Sequence, residues 1–157
     1  MDCKLSRRAF SLIELVIVVV IIGIIAAIAV PRMSRGAAGA GDSALAGDLA
    51  TLRNAVDLFQ TEHGGVFPTD STTIALQLTG YSDDSGAAQA AKDATHIYGP
   101  YLRQVPPLPV GARKGGNTFA AADAAGVGWI YDSTAHTVTA NCKPAEVDAR
   151  GVQYNQY

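Results

Sequence analysis

The sequence predicts an α+β fold: a long N-terminal helix, hydrophobic in its anchor half and amphipathic in the other, packed on a small antiparallel β-sheet. Three observations carry this expectation. Residues 10–30 (FSLIELVIVVVIIGIIAAIAV) are almost purely apolar. Leu45, Leu49, Leu52, Val56 and Phe59 then recur at spacings of 4, 3, 4 and 3, the period of one helical face. Further on, Gly128-Trp129-Ile130-Tyr131-Asp132 and residues 136–142 read as two strands of a hairpin joined by Ser133-Thr134-Ala135.

Taken in order, residues 1–9 (MDCKLSRRA) form a short basic leader, with Lys4, Arg7 and Arg8 against Asp2. In residues 10–30 only Ser11 and Glu14 interrupt the apolar run. A bilayer-spanning helix needs about 20 apolar residues, so the run is just long enough. Three readings compete. An ordinary secretory signal peptide would use Ala27-Ile28-Ala29 as its A-x-A cleavage site, but the run is long for that and contains a carboxylate. A plain anchor helix would carry Glu14 at a cost; an acid at the centre of a span costs ~2.5–3.5 kcal/mol, less one turn from its end. The third reading is one in which Glu14 has a purpose. An ionisable group inside a membrane segment is by default a functional site with a partner to be named.

Residues 31–63 continue the helix. Gly36, Gly39, Gly41 and Gly47 weaken it, each by about 1 kcal/mol relative to Ala, before the stripe Leu45 to Phe59 begins. That stripe reads as core packing against the C-terminal domain. Gly64-Gly65 is the stop signal. Residues 64–157 form the globular domain, with a short helix within residues 71–79, a polar surface loop at 81–95, a proline-rich stretch at 105–109 and a candidate third strand at Asn117-Thr118-Phe119. The last fifteen residues are polar and read as a loose tail.

The formal net charge of −2 offers no basic footprint for nucleic acid. Without residues 1–9 the chain has nine Lys/Arg and thirteen Asp/Glu, a formal −4. His63, His96 and His136 follow no metal-ligand spacing, and Asp83-Asp84 reads as a solvated pair. No phosphate loop, H-E-x-x-H or G-x-S-x-G occurs, so no catalytic residue is expected. Of the two cysteines, Cys3 lies in the leader and Cys142 reads as a small buried hydrophobe.

The stretch Arg7-Arg8-Ala9-Phe10-Ser11-Leu12-Ile13-Glu14-Leu15 resembles the type III signal of prepilins and pseudopilins. The resemblance implies a cytoplasmic leader, cleavage between Ala9 and Phe10 by a prepilin peptidase, and N-methylation of Phe10. Ala9 departs from the family's usual Gly. It implies that the Phe10 amine of one subunit meets the Glu14 carboxylate of the next, setting register in a filament of apolar helices, and that Gly23 and Pro31 bracket a segment able to unwind there. The plainer reading of Glu14 is a favourable interaction with its own helix dipole. Downstream, Asp48-Leu49, Leu52-Arg53-Asn54-Ala55-Val56, His63-Gly64, Phe67-Pro68, Gly99-Pro100-Tyr101-Leu102 and Gly128-Trp129-Ile130-Tyr131 are similar to the major pseudopilin of type II secretion.

That branch implies a single-pass inner-membrane subunit with its C-terminal domain in the periplasm, assembled into a pseudopilus. Its partners would be identical or related subunits, the peptidase/methyltransferase, an inner-membrane assembly platform and membrane lipid. Relatives in that branch bind calcium, which takes six to eight oxygens. Here residues 120–132 offer only Asp123 and Asp132, so no cofactor is expected. The alternatives are a type IV pilus subunit for adhesion, motility or DNA uptake, and a membrane-anchored binding domain that never polymerises.

Overall fold

A computed structural model describes residues 11–157, and residues 29–38 by their backbone alone. The leader, Ala9 and Phe10 therefore lie outside the described residues. The chain forms two compact units, Met1–Ala37 and Ala38–Tyr157. Helix α1, Leu12–Glu62, supplies residues to both.

In the first unit every described side chain from Leu12 to Ile28 is exposed. Among the described residues no helix is long and apolar enough to cross a membrane. The ends of the apolar run, Phe10, Ala29 and Val30, lie outside the residues whose side chains are described. Gly23 and Pro31 both lie within α1, and a Cβ placed on Gly23 would meet nothing within 4 Å.

The second unit has a single core. Leu45, Leu49, Leu52, Ala55, Val56 and Phe59 are buried along one face of α1, as the 3.6-residue repeat requires of a helix covered on one side. They pack with Ile74 and Leu78 of helix α2, Ile74–Thr79, and with Leu108, Phe119, Trp129, Tyr131 and Val138. Burying a Leu or Phe side chain contributes about 1.5–3 kcal/mol, so this stripe is the largest apolar contribution α1 makes to the domain. Helix α1 stops where Gly64 and Gly65 take positive φ values of 64° and 98°, and the Gly65 N–H donates to Gln60 O at 2.8 Å.

Strands β1 (Tyr81–Ser82) and β2 (Ala88–Gln89) form a small antiparallel pair. This pair lies in the stretch expected to be a loop. Strands β3 (Thr118–Ala120), β4 (Val127–Asp132) and β5 (Thr137–Ala140) form a second sheet in that order. The β4–β5 hairpin is antiparallel, but β3 pairs with β4 in parallel, so this sheet is mixed. Parallel neighbours usually need a connection of a dozen or more residues. Here six suffice, with Gly126 at φ 81° and the Thr118 hydroxyl donating to Gly126 O at 3.1 Å.

On β4, Trp129 and Tyr131 point inward and are fully buried. Their polar ends are satisfied: Trp129 Nε1 donates to Pro106 O at 2.8 Å and Tyr131 OH to Pro68 O at 2.9 Å. These bonds tie two proline-containing loops that cannot enter a sheet ladder onto the strand. Burial pushes the Tyr131 hydroxyl up to about 12. Gly128 is required by close approach, since a Cβ there would lie 2.1 Å from Gly116 O.

The C-terminal segment is not loose. Asp148 is buried, and its carboxylate accepts the N–H groups of Arg150 and Val152, Arg150 Nε and the Tyr157 hydroxyl, at 2.6–2.8 Å. A 3-10 turn at Tyr154–Gln156 follows. The segment is polar because it is held by hydrogen bonds and not by apolar burial.

Candidate assembly surface

Glu14 is the one charged residue among the described residues 11–28, and it is exposed in a segment whose other large side chains, from Leu12 at 80% to Val16 at 44% exposure, are bare apolar surface. Helix α1 begins at Leu12, which makes Ser11 its N-cap and Glu14 its third residue, the spacing of a capping box. The Ser11 N–H donates to Glu14 Oε2 at 3.4 Å, and the Glu14 N–H donates to Ser11 O at 3.1 Å. The carboxylate is thereby turned toward the start of the helix, where the macrodipole favours negative charge. The Ser11-x-x-Glu14 pattern is itself a sequence signal for this geometry. Its neighbour in the expected reaction, Phe10, lies outside the described residues, as does Ala9.

The other singled-out residues divide between the two units. Gly23 and Pro31 belong to the first. Leu45, Leu49, Leu52, Val56 and Phe59 come together in the second, all at 3% exposure or less, where they face the domain's own core and leave nothing apolar of themselves for a partner.

Among the described residues no group of three or more His, Cys, Asp or Glu is placed to hold a metal ion. Asp123 is engaged by Arg113, whose guanidinium, with the Asn141 amide, holds its carboxyl below the usual range. Asp132 accepts the Thr134 and Ala135 N–H groups at 2.8 and 3.0 Å. The histidines are scattered. His63 is buried and stacked on Phe59, His96 contacts Asp93 at 3.0 Å, and His136 stacks on Phe67 with ring centroids 4.0 Å apart. Asp83 accepts three hydrogen bonds from Ser85 and Ala87 within its own turn. Cys142 is a half-buried free thiol, pushed up to about 11 by burial and by the neighbouring Glu146 carboxylate.

A family model described as the prokaryotic N-terminal methylation motif matches residues 4–30. The chain carries a prokaryotic N-terminal methylation motif. The match spans Ala9, Phe10 and Glu14 and supports a type IV pilin-like prepilin at the level of the superfamily. No curated protein matches the chain, and no solved structure does.

Proposed function

We propose that this protein is a filament subunit, held in the inner membrane by residues 10–30, trimmed between Ala9 and Phe10, methylated on Phe10 and stacked with copies of itself into a pseudopilus that supports type II secretion. The observation that carries the reading is Glu14, a lone carboxylate in an otherwise apolar exposed helical segment. An unpaired carboxylate buried among apolar helices is strongly unfavourable, whereas one met by a cation in good geometry is tolerated and fixes position. The Phe10 amine of an adjacent subunit is the cation that the motif supplies. The secretion branch is preferred over a surface pilus because of the downstream similarity from Asp48 to Tyr131 and the single cysteine left after trimming.

Three measurements test this in its separate parts. The intact mass of the purified protein should show loss of residues 1–9 and one added methyl group; loss of residues 1–29 instead would indicate ordinary secretion. Glu14→Val should abolish filaments while leaving the subunit in the membrane, and filaments of unchanged yield and geometry would sink the assembly role. Deletion of the protein should stop export of secreted enzymes and leave surface motility intact; the reverse pattern would assign it to a pilus.

A further inference from the structure

The turn of α1 just ahead of the domain core is poorly supported by its own residues. From Gly39 to Ala44 no residue is buried, and the core face of the helix begins at Leu45. Gly39 and Gly41 both weaken the helical state. Gly41 is required by close approach, since a Cβ there would lie 3.0 Å from Val110 Cγ1, but a Cβ on Gly39 would meet nothing within 4 Å. The Ser43 hydroxyl donates to Gly39 O at 2.9 Å, a back-bond that competes with the helix's own ladder. Stretches with few buried apolar contacts are where a fold opens locally.

The support comes from about a hundred residues further along the chain. Asp42, half-buried in this turn, accepts the Tyr154 hydroxyl at 2.8 Å and the Ala149 N–H at 3.3 Å. The Tyr154 ring packs against the core, and its N–H donates to Glu146 O at 3.1 Å, so the hydroxyl is offered from a fixed position. Residues 148–157 are also secured without Asp42. Asp148 gathers the Arg150, Val152 and Tyr157 donors, and Arg53 Nη2 bonds the Tyr157 carbonyl oxygen.

We propose that Ala149 and Tyr154 form a brace on Asp42 that decides where the domain's hold on α1 begins. With Asp42 engaged, the helix is held from Gly39 onward. With Asp42 released, it is held only from Leu45, and residues 39–44, about 9 Å of helix at 1.5 Å per residue, become a joint. Gly39 suits this role because it adds no packing and lowers only the cost of opening. The brace itself stays in place when the joint opens, because its other bonds do not involve Asp42, so the joint can close again.

The test follows hydrogen–deuterium exchange of the full-length chain in dodecyl maltoside micelles, read on peptides covering residues 38–44 and 46–59. Tyr154→Phe removes the hydroxyl and leaves α1 untouched. It should speed exchange at 38–44 about tenfold, as loss of a hydrogen bond to a charged group requires. Asp42→Ala should speed it at least as much, although Ala favours the helix more than Asp does. Gly39→Ala should slow it about fivefold and offset much of the effect of Tyr154→Phe. Exchange at 46–59 should stay unchanged in all three variants. The brace is overturned by unchanged exchange at 38–44 in Tyr154→Phe, or by slower exchange there in Asp42→Ala, which would leave helix propensity in control. An equal rise at 38–44 and 46–59 overturns it too, since the contact would then be part of the core and not a separate hold.

Discussion

Arg113 lies two-pronged on Asp123, with Nε 2.7 Å from one carboxylate oxygen and Nη2 3.1 Å from the other. The planar guanidinium matches a carboxylate in this fork geometry, so any cation would have to compete with Arg113 for Asp123. Asn141 completes the arrangement by donating to Asp123 at 3.1 Å and to Val127 O at 2.9 Å.

Thermal unfolding should therefore be indifferent to calcium. A ligand that binds only the native state raises its stability in proportion to the logarithm of its concentration, so excess calcium and excess EDTA should give melting temperatures within about 1 °C of each other. A calcium-dependent rise of several degrees would show that the Arg113–Asp123 pair does not replace a metal.

Cys142 should be slow to alkylate. Only the thiolate reacts, and with its thiol pushed up to about 11 the folded protein should react with iodoacetamide at pH 8 roughly 100-fold more slowly than the denatured chain. Equal rates would place the thiol in solvent.

Phe59→Ala should be among the most damaging single changes. The ring is fully buried, stacked on His63 at 4.0 Å and edge-on to Tyr101 at 5.8 Å. Truncating a buried Phe costs about 3–5 kcal/mol, which denaturant titration of the full chain in micelles would detect. A cost below about 1 kcal/mol would mean that this part of the core collapses to fill the space.

Asp148 should give the domain a signature in acid. Its carboxyl is held well below the usual range, first by the Tyr157 hydroxyl and also by the Val152 and Arg150 donors. A carboxyl depressed in the folded state contributes stability that is complete above its unfolded value, about 3.9, and is lost as pH falls through the folded value below it. Asp148→Asn should therefore melt below the wild type at pH 7, with the gap narrowing in scans taken well below pH 4. A constant gap would assign the bonds to geometry alone.

How much of this was legible in the residues depends on what held each part together. The stripe from Leu45 to Phe59 was plain because apolar burial on a helix leaves a period. The Trp129–Tyr131 strand showed through its alternation. The β1–β2 pair did not, because strands of two residues are too short to carry a pattern and rest on the Asp83 turn. The last fifteen residues read as a tail for a related reason: Ala149, Tyr154 and Tyr157 are held by hydrogen bonds whose partners, Asp42 and Arg53, lie about a hundred residues earlier, and hydropathy is blind to such pairs. At the other end, the sequence named Glu14 by its oddity, and the Ser11 amide that turns its carboxylate came from the backbone.

Helix α1 also divides its duties cleanly. Among its described side chains, the apolar ones buried in the domain core begin at Leu45, while the exposed apolar run extends from Leu12 to Ile28, and no residue serves in both sets. Drift in one stretch should therefore be silent in the other, so that over generations the domain's surface can be remodelled for new surroundings while the apolar stretch stays under its own, separate selection.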